Sequence, residues 1–186
     1  MNSKLQEYIF DPSNAEKNFE LGYWYDAQGH VASSLSLYLR AAELSEDNDL
    51  TYEALIRIAL GFKKQGDRLF SIKSLLYHAI NVCPTRPEAF WLLSQIYELG
   101  NEWHEAHNAI CQAEYFIDNA IPTRTDIGYK EKYAILFQKG VTVWYVGGRD
   151  EARRIFNQLL TDYDMTPAYV ENTKSNLKII QGGDFT

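Results

Sequence analysis

The chain has 186 residues, 46% of them hydrophobic and 14% aromatic, with eleven glycines and five prolines. That is one ordinary domain's worth of chain with a real core, and it excludes collagenous, low-complexity and intrinsically disordered classes. Eighteen basic residues against 25 acidic ones give a net charge of −7, which argues against nucleic acid and against an anionic membrane surface as partners.

The first residues, Met1-Asn2-Ser3-Lys4-Leu5-Gln6-Glu7, lack the basic-then-apolar pattern of a signal peptide. No window approaches 18 uncharged apolar residues, so no transmembrane helix is expected. Cys83 and Cys111 are too few for a disulfide framework and read as free thiols in a reducing compartment. The expected location is intracellular and cytoplasmic, or a virion or host cytoplasm should the chain come from a phage.

Asp11-Pro12-Ser13-Asn14 offers a cap and an early proline, and a helical pattern follows. From there a spacing recurs. A small residue is followed twelve positions later by another: Gly22 and Ser34, Ala59 and Ser71, Ser94 and Ala106, Gly140 and Ala152. Three residues after the first small residue stands a large apolar one: Tyr25, Phe62, Tyr97 and Val143. Four residues after the second stand Tyr38, Leu75, Ile110 and Phe156, then, three further on, Ala41, His78, Ala113 and Leu159.

Between the halves lie Gly29, Gly66, Gly100-Asn101 and Gly147-Gly148. A single-face apolar stripe ended by Gly or Asn predicts a helix with a left-handed cap, so each copy reads as a helical hairpin. Small residues let the paired helices approach closely. One such hairpin cannot bury its own apolar face, so the copies must stack.

This pattern resembles the tetratricopeptide repeat, a helix–turn–helix unit of about 34 residues. In the third copy Phe90, Leu93, Ser94, Tyr97, Ala106, Ile110 and Ala113 fall at its aromatic, leucine, small, aromatic, alanine, large and alanine positions. The first copy matches at Leu21, Gly22, Tyr25, Ser34, Tyr38 and Ala41 but has Asn18 at the opening aromatic position. The second departs at His78, and the fourth at Lys139 and Leu159.

The expected fold is therefore all-α, a right-handed α-α superhelix of about four hairpins and a C-terminal capping helix. The expected parts are an N-terminal segment 1–11, a repeat domain 12–180 and a flexible tail 181–186. Within the domain the repeats are 12–45, 50–83, 87–118 and 130–163, and the cap is 167–180. The cap presents Tyr169, Val170, Thr173, Leu177 and Ile180 on one face. The last gap between copies is longer than the others, and its extra residues fall around Asn119 to Tyr129, a loop-like stretch with Pro122 and Gly128.

A narrower resemblance covers Leu39-Arg40-Ala41-Ala42-Glu43, Tyr52 to Ala59, Pro84 to Ala89, Tyr129 to Tyr133 and Ser175 to Lys178. These segments are similar to the helical repeat region appended to certain nucleotide-sugar glycosyltransferases of bacteria and large viruses or phages. The resemblance implies a glycan-modifying context, with a glycosyltransferase or glycan as partner. It implies no catalysis by this chain, which offers no βαβ pattern.

Candidate sites are few. Asp47-Asn48-Asp49 has the carboxylates that would hold Mg²⁺ or Mn²⁺, yet without an adjacent strand it reads as the junction where one helix ends and the next is capped. His104 and His107, with Cys111 one turn on, form half a zinc site at most. There is no serine-hydrolase elbow, phosphate-binding loop or H-E-x-x-H sequence. No cofactor, metal or catalytic residue is expected.

The resemblance places the first helix of each hairpin along an inner groove. That gives Phe19, Tyr23, Arg57, Lys64, Trp91, Gln95, Phe137, Trp144 and Tyr145 as partner-binding residues, rich in the aromatic and Arg types that dominate binding hot spots. Several of these aromatics equally suit packing against the insertion. Phe19, Ile56, Trp91 and Phe137 stand where chaperone-binding relatives place a polar clamp, so a C-terminal chaperone tail is not the expected ligand. The expected role is a non-enzymatic scaffold that binds a protein or peptide. The alternatives are an accessory or truncated glycosyltransferase subunit and a structural component of a phage or virion assembly.

Overall fold

The computed structural model describes residues 3–66 and 68–182. Every regular element among them is helical. The helices are α1 (Ser3–Phe10), α2 (Ala15–Ala27), α3 (Val31–Leu44), α4 (Asn48–Gln65), α5 (Leu69–Val82), α6 (Pro87–Leu99), α7 (Trp103–Tyr115), α8 (Glu131–Tyr145), α9 (Arg149–Asp162) and α10 (Pro167–Gly182), with a 3-10 turn at Ile117–Asn119. The all-α, hairpin-built class expected from the spacing is what the chain adopts. No helix is long and apolar enough to cross a membrane among the described residues.

The chain forms two compact units. The first comprises the chain up to Thr85 together with Pro122–Ile127; the second comprises Arg86–Ile121 and the chain from Gly128 onward. In the first unit α2 pairs with α3 and α4 with α5, α3 packs on α4, and α1 lies against α2. In the second, α6 pairs with α7 and α8 with α9, α7 packs on α8, and α10 covers α9 and part of α8.

Local signals set the ends. Asn14 caps α2 by accepting from Lys17 N at 3.1 Å, and Asp47 caps α4 by accepting from Asp49 N at 2.9 Å. Pro87 occupies the first turn of α6, where a missing N–H costs nothing. In the α4–α5 turn Gly66 has φ 78°. In the α6–α7 turn the left-handed residue is Asn101 at φ 57°, and Gly100 is not left-handed. Asn tolerates that region better than other side chains, so the Gly100-Asn101 pair divides its labour in that way.

The paired small residues explain the close helix approach. A Cβ built on Gly22 would sit 3.2 Å from the Tyr38 ring, and one on Gly140 would sit 2.9 Å from Phe156. Ser34, Ala59, Ser94, Ala106 and Ala152 are all buried. The first unit's core joins Phe19, Tyr38, Ala41, Leu50, Ala54 and Ile58. The second unit's core joins Val143, Ala152, Ile155, Phe156 and Leu159 to Leu177 and Ile180 of α10, so the last helix closes an apolar face that the final hairpin leaves open.

Residues 1–11, read as a plain leading segment, carry α1. Gln181 and Gly182 finish α10, and the rest of the expected tail, 183–186, lies outside the described residues.

Candidate functional site

The nine residues expected to bind a partner divide between the two units. In the first unit, Phe19 is only 3% exposed and packs on Tyr38 with ring centroids 5.3 Å apart. It belongs to the core and is not a free groove residue. Tyr23 is 41% exposed, with the Arg57 guanidinium 4.9 Å over its ring.

Arg57 is itself buried. Its Nε donates to the Thr125 hydroxyl at 2.7 Å, its Nη2 donates to the Asp126 carbonyl at 2.8 Å, and its Nη1 lies 3.9 Å from the Asp26 carboxylate. Lys64 is exposed and pairs with Asp26 at 2.6 Å. The inner face of α4 is thus covered by residues of the insertion. A cavity of about 390 Å³ remains beside α2, lined by Glu16, Glu20, Tyr23, Trp24, Arg124 and Thr125 among others.

In the second unit, Trp91 is 5% exposed and meets Tyr129 edge-on at 5.5 Å. Packing against the insertion's end accounts for it. Gln95 is half-buried on the same helix. Phe137 is half-buried and meets Phe156 and Tyr169 edge-on at 5.8 and 5.2 Å. Trp144 carries the Arg149 guanidinium 5.2 Å over its ring. Tyr145, 55% exposed, stacks on Trp103 with centroids 3.6 Å apart and planes 6° from parallel.

Phe137, Trp144 and Tyr145 share a cavity of about 290 Å³ with Glu98 of α6, Val141 of α8, and Asn172, Ser175, Asn176 and Ile179 of α10. Glu98 accepts from Gln138 Nε2 at 2.6 Å. Three aromatics beside a carboxylate and two amide side chains make an amphipathic wall suited to a peptide, whose backbone needs donors and acceptors while its side chains need apolar contact.

The capping role expected of α10 does not by itself point to Asn172, Ser175, Asn176 and Ile179 as cavity lining. The i, i+4 pair Asn172 and Asn176 on its polar side was the available signal. No periodicity says where a loop will lie, so the sequence carries no signal that Arg124 and Thr125 come to Glu53 of α4.

The weaker candidates have ordinary structural roles. Asp47 is the helix cap of the Asp47-Asn48-Asp49 run. Among the described residues no three His, Cys, Asp or Glu side chains gather as metal ligands. His107 Nδ1 lies 3.2 Å from the Thr142 hydroxyl, and that hydroxyl donates to the Lys139 carbonyl at 3.1 Å. The hydroxyl oxygen therefore accepts from Nδ1–H, which leaves Nε2 to accept from Cys111 Sγ at 3.6 Å. Burial and the nearby Lys139 ammonium hold the His107 imidazole below its ordinary pKa, and burial pushes the Cys111 thiol up. Neutral imidazole and intact thiol are the forms this chain of contacts needs.

No protein-family model matches the sequence, and no curated protein does. Solved structures do. BtubC from P. vanneervenii is similar over 98% of this chain and 80% of its own, with a TM-score of 0.72 and 18% identity. YrrB, described as a TPR protein with an unusual peptide-binding site, is similar over 98% and 94%, with a TM-score of 0.67 and 14% identity. A tetratricopeptide repeat protein from Parabacteroides merdae is similar over 90% and 60%, with a TM-score of 0.68 and 16% identity. At such identities the likeness concerns the fold, and together with the hairpins and their small-residue contacts it shows that this chain has a tetratricopeptide-repeat-like fold.

Proposed function

We propose that the chain is a non-enzymatic scaffold that binds a protein or peptide partner, and that the α6–α8–α10 cavity of the second unit is the surface it uses. The observation that carries this reading is the composition of that cavity. Tyr145 is exposed and Trp144 half-buried at its rim, Phe137 forms its apolar wall, and Asn172 and Asn176 offer amides that match a peptide backbone. The peptide-binding site named for YrrB, on the same fold, agrees with it. Of the nine residues read from the sequence, Phe137, Trp144 and Tyr145 line this cavity and keep a partner-facing role, while Tyr23, Lys64 and Gln95 lie outside it. Phe19, Arg57 and Trp91 act by holding the structure beneath. No observation favours the glycosyltransferase, glycan or virion alternatives.

The test is capture from the native source followed by affinity measurement on the captured partner. Trp144→Ala with Tyr145→Ala removes two rim aromatics; Trp144 also packs on the second unit's core, so helical circular dichroism and the melting temperature of the variant are checked alongside. Hot-spot aromatics each contribute upward of about 2 kcal/mol, roughly thirtyfold in affinity. Binding weakened by at least tenfold supports the cavity; unchanged binding removes it.

A further inference from the structure

Pro122–Ile127 is held by the first unit as a bound peptide would be held. Exposure alternates along it: Thr125 and Ile127 face inward at 8% and 6%, while Arg124, Asp126 and Gly128 face outward. The chain bends at Arg124 and Thr125, which turns both of their amides to the same side. Glu53 of α4, 2% exposed, accepts from Arg124 N at 2.6 Å, from Thr125 N at 2.7 Å and from the Thr125 hydroxyl. Arg57 takes the Asp126 carbonyl at 2.8 Å. Outside, the Arg124 guanidinium bridges Glu16 of α2 at 2.6 Å and Asp47 at 2.8 Å.

These groups define what else the face would accept. Two consecutive amides turned to one side and a carbonyl beyond them are available in any peptide that bends in this way. The hydroxyl inward, the guanidinium outward and the apolar residue two places on are specific. A buried carboxylate stripped of its donors is strongly unfavourable, so whatever replaces the segment must supply the same donors to Glu53. Glu16, Asp47 and Glu53 outnumber Arg57 on this face, which favours an arginine-bearing segment and rejects an acidic one.

We propose that the α2/α4 face is a recognition site for an Arg-Thr-x-Ile segment bent at its Arg-Thr pair, that Pro122–Ile127 fills it in cis as a tethered competitor, and that a partner segment of the same chemistry takes its place. This rests on the reading of the chain as a peptide-binding scaffold and adds a second, guarded site to it. A tethered segment competes at an effective concentration on the order of millimolar, so the intact protein screens out weak peptides.

The probe is the labelled octapeptide of residues 121–128, titrated by fluorescence anisotropy into the full chain and into an Arg124→Ala/Thr125→Ala variant. The variant is expected to bind at least tenfold more tightly than the wild type. Adding Glu53→Gln is expected to abolish the gain, and an octapeptide with both the Arg and the Thr replaced by Ala is expected to bind neither protein. Equal affinities for variant and wild type, or no binding to a variant that keeps its helical circular dichroism, overturn the proposal.

Should the variant lose its helical signal, the wild type decides. Ten millimolar octapeptide is expected to accelerate amide exchange at Arg124 and Thr125 at least threefold, and unchanged exchange overturns the proposal. Failure here with the Trp144/Tyr145 result intact removes the guarded site alone. Failure of both removes the scaffold reading.

Discussion

Arg86 and Glu88 grip each other across the first turn of α6, Nη2 to Oε1 at 2.9 Å and Nε to Oε2 at 3.2 Å, with both side chains buried. Arg86 also donates to the Ile121 carbonyl at 3.2 Å. A buried pair gains little over an apolar one, but breaking it strands a charge. Arg86→Ala is expected to lower unfolding stability by about 3–5 kcal/mol. Replacing both residues by apolar side chains of similar volume costs far less. Urea unfolding of the single and double variants checks the contrast.

Two helix-interior glycines separate packing from propensity. Gly→Ala in a helix gains up to about 1 kcal/mol. At Gly61 the added Cβ would meet Leu35 Cδ2 at 2.7 Å, the mobile tip of a half-buried side chain. At Gly140 it would meet the Phe156 ring at 2.9 Å and Ile155 Cγ2 at 3.2 Å. Phe156 is 1% exposed and locked in the second unit's core. Overpacking costs about 1–3 kcal/mol. Gly61→Ala is therefore expected to leave the melting temperature level or higher, and Gly140→Ala to lower it.

His107 makes stability depend on pH in one direction. Its folded pKa lies below the ordinary 6.5, first because burial disfavours the cation and then because of Lys139. Above about 6.5 both folded and unfolded forms are neutral and the residue contributes nothing. As pH falls from there through the folded value, the unfolded chain takes up the proton first and the folded state loses ground. A His107→Asn variant is expected to lose less in melting temperature than the wild type between pH 7.5 and pH 5. Parallel melting curves for the two proteins would refute this.

Asp47 does two things that a pair of substitutions separates. It caps α4 through Asp49 N and pairs with Arg124. Asp47→Asn keeps the cap and loses the exposed charge pair, which is worth about 0–1 kcal/mol. Asp47→Ala loses both, and the cap alone contributes about 0.5–2 kcal/mol. The alanine variant is expected to unfold at lower urea than the asparagine variant.

The hairpins were legible in the sequence because they are written locally. Gly22, Ser94 and Gly140 mark where helices touch, and the turn glycines with Asn101 mark where they end. Legibility stopped at what lies over a helix face. Trp91 and Phe19 were placed on the correct helices, but periodicity gives a face and not its cover; Tyr129 and Tyr38 provide the cover. Arg57 looked like a groove residue until the insertion took its donors. The stack of Trp103 on Tyr145 joins residues from different hairpins, so no spacing within either reveals it. Asn172 and Asn176 lie on the polar side of α10, and the apolar side, which packs Leu177 and Ile180 on the core, gives no hint that the polar side lines a cavity.

The path of the chain puts the first unit's last contribution late in synthesis. Thr85 ends the contiguous part of that unit and Ile127 ends the part that returns to it, about forty residues afterwards. At roughly 5–20 residues per second a ribosome spends about 2–8 seconds on that interval. For that long after Thr85 has cleared the exit tunnel, the first two hairpins are out while the Glu53 carboxylate still waits for Thr125. A nascent chain halted with Thr85 just clear of the exit tunnel is expected to be protected from proteolysis at α2 and α3 but labile along α4, and one halted with Ile127 clear of it is expected to be protected along all three.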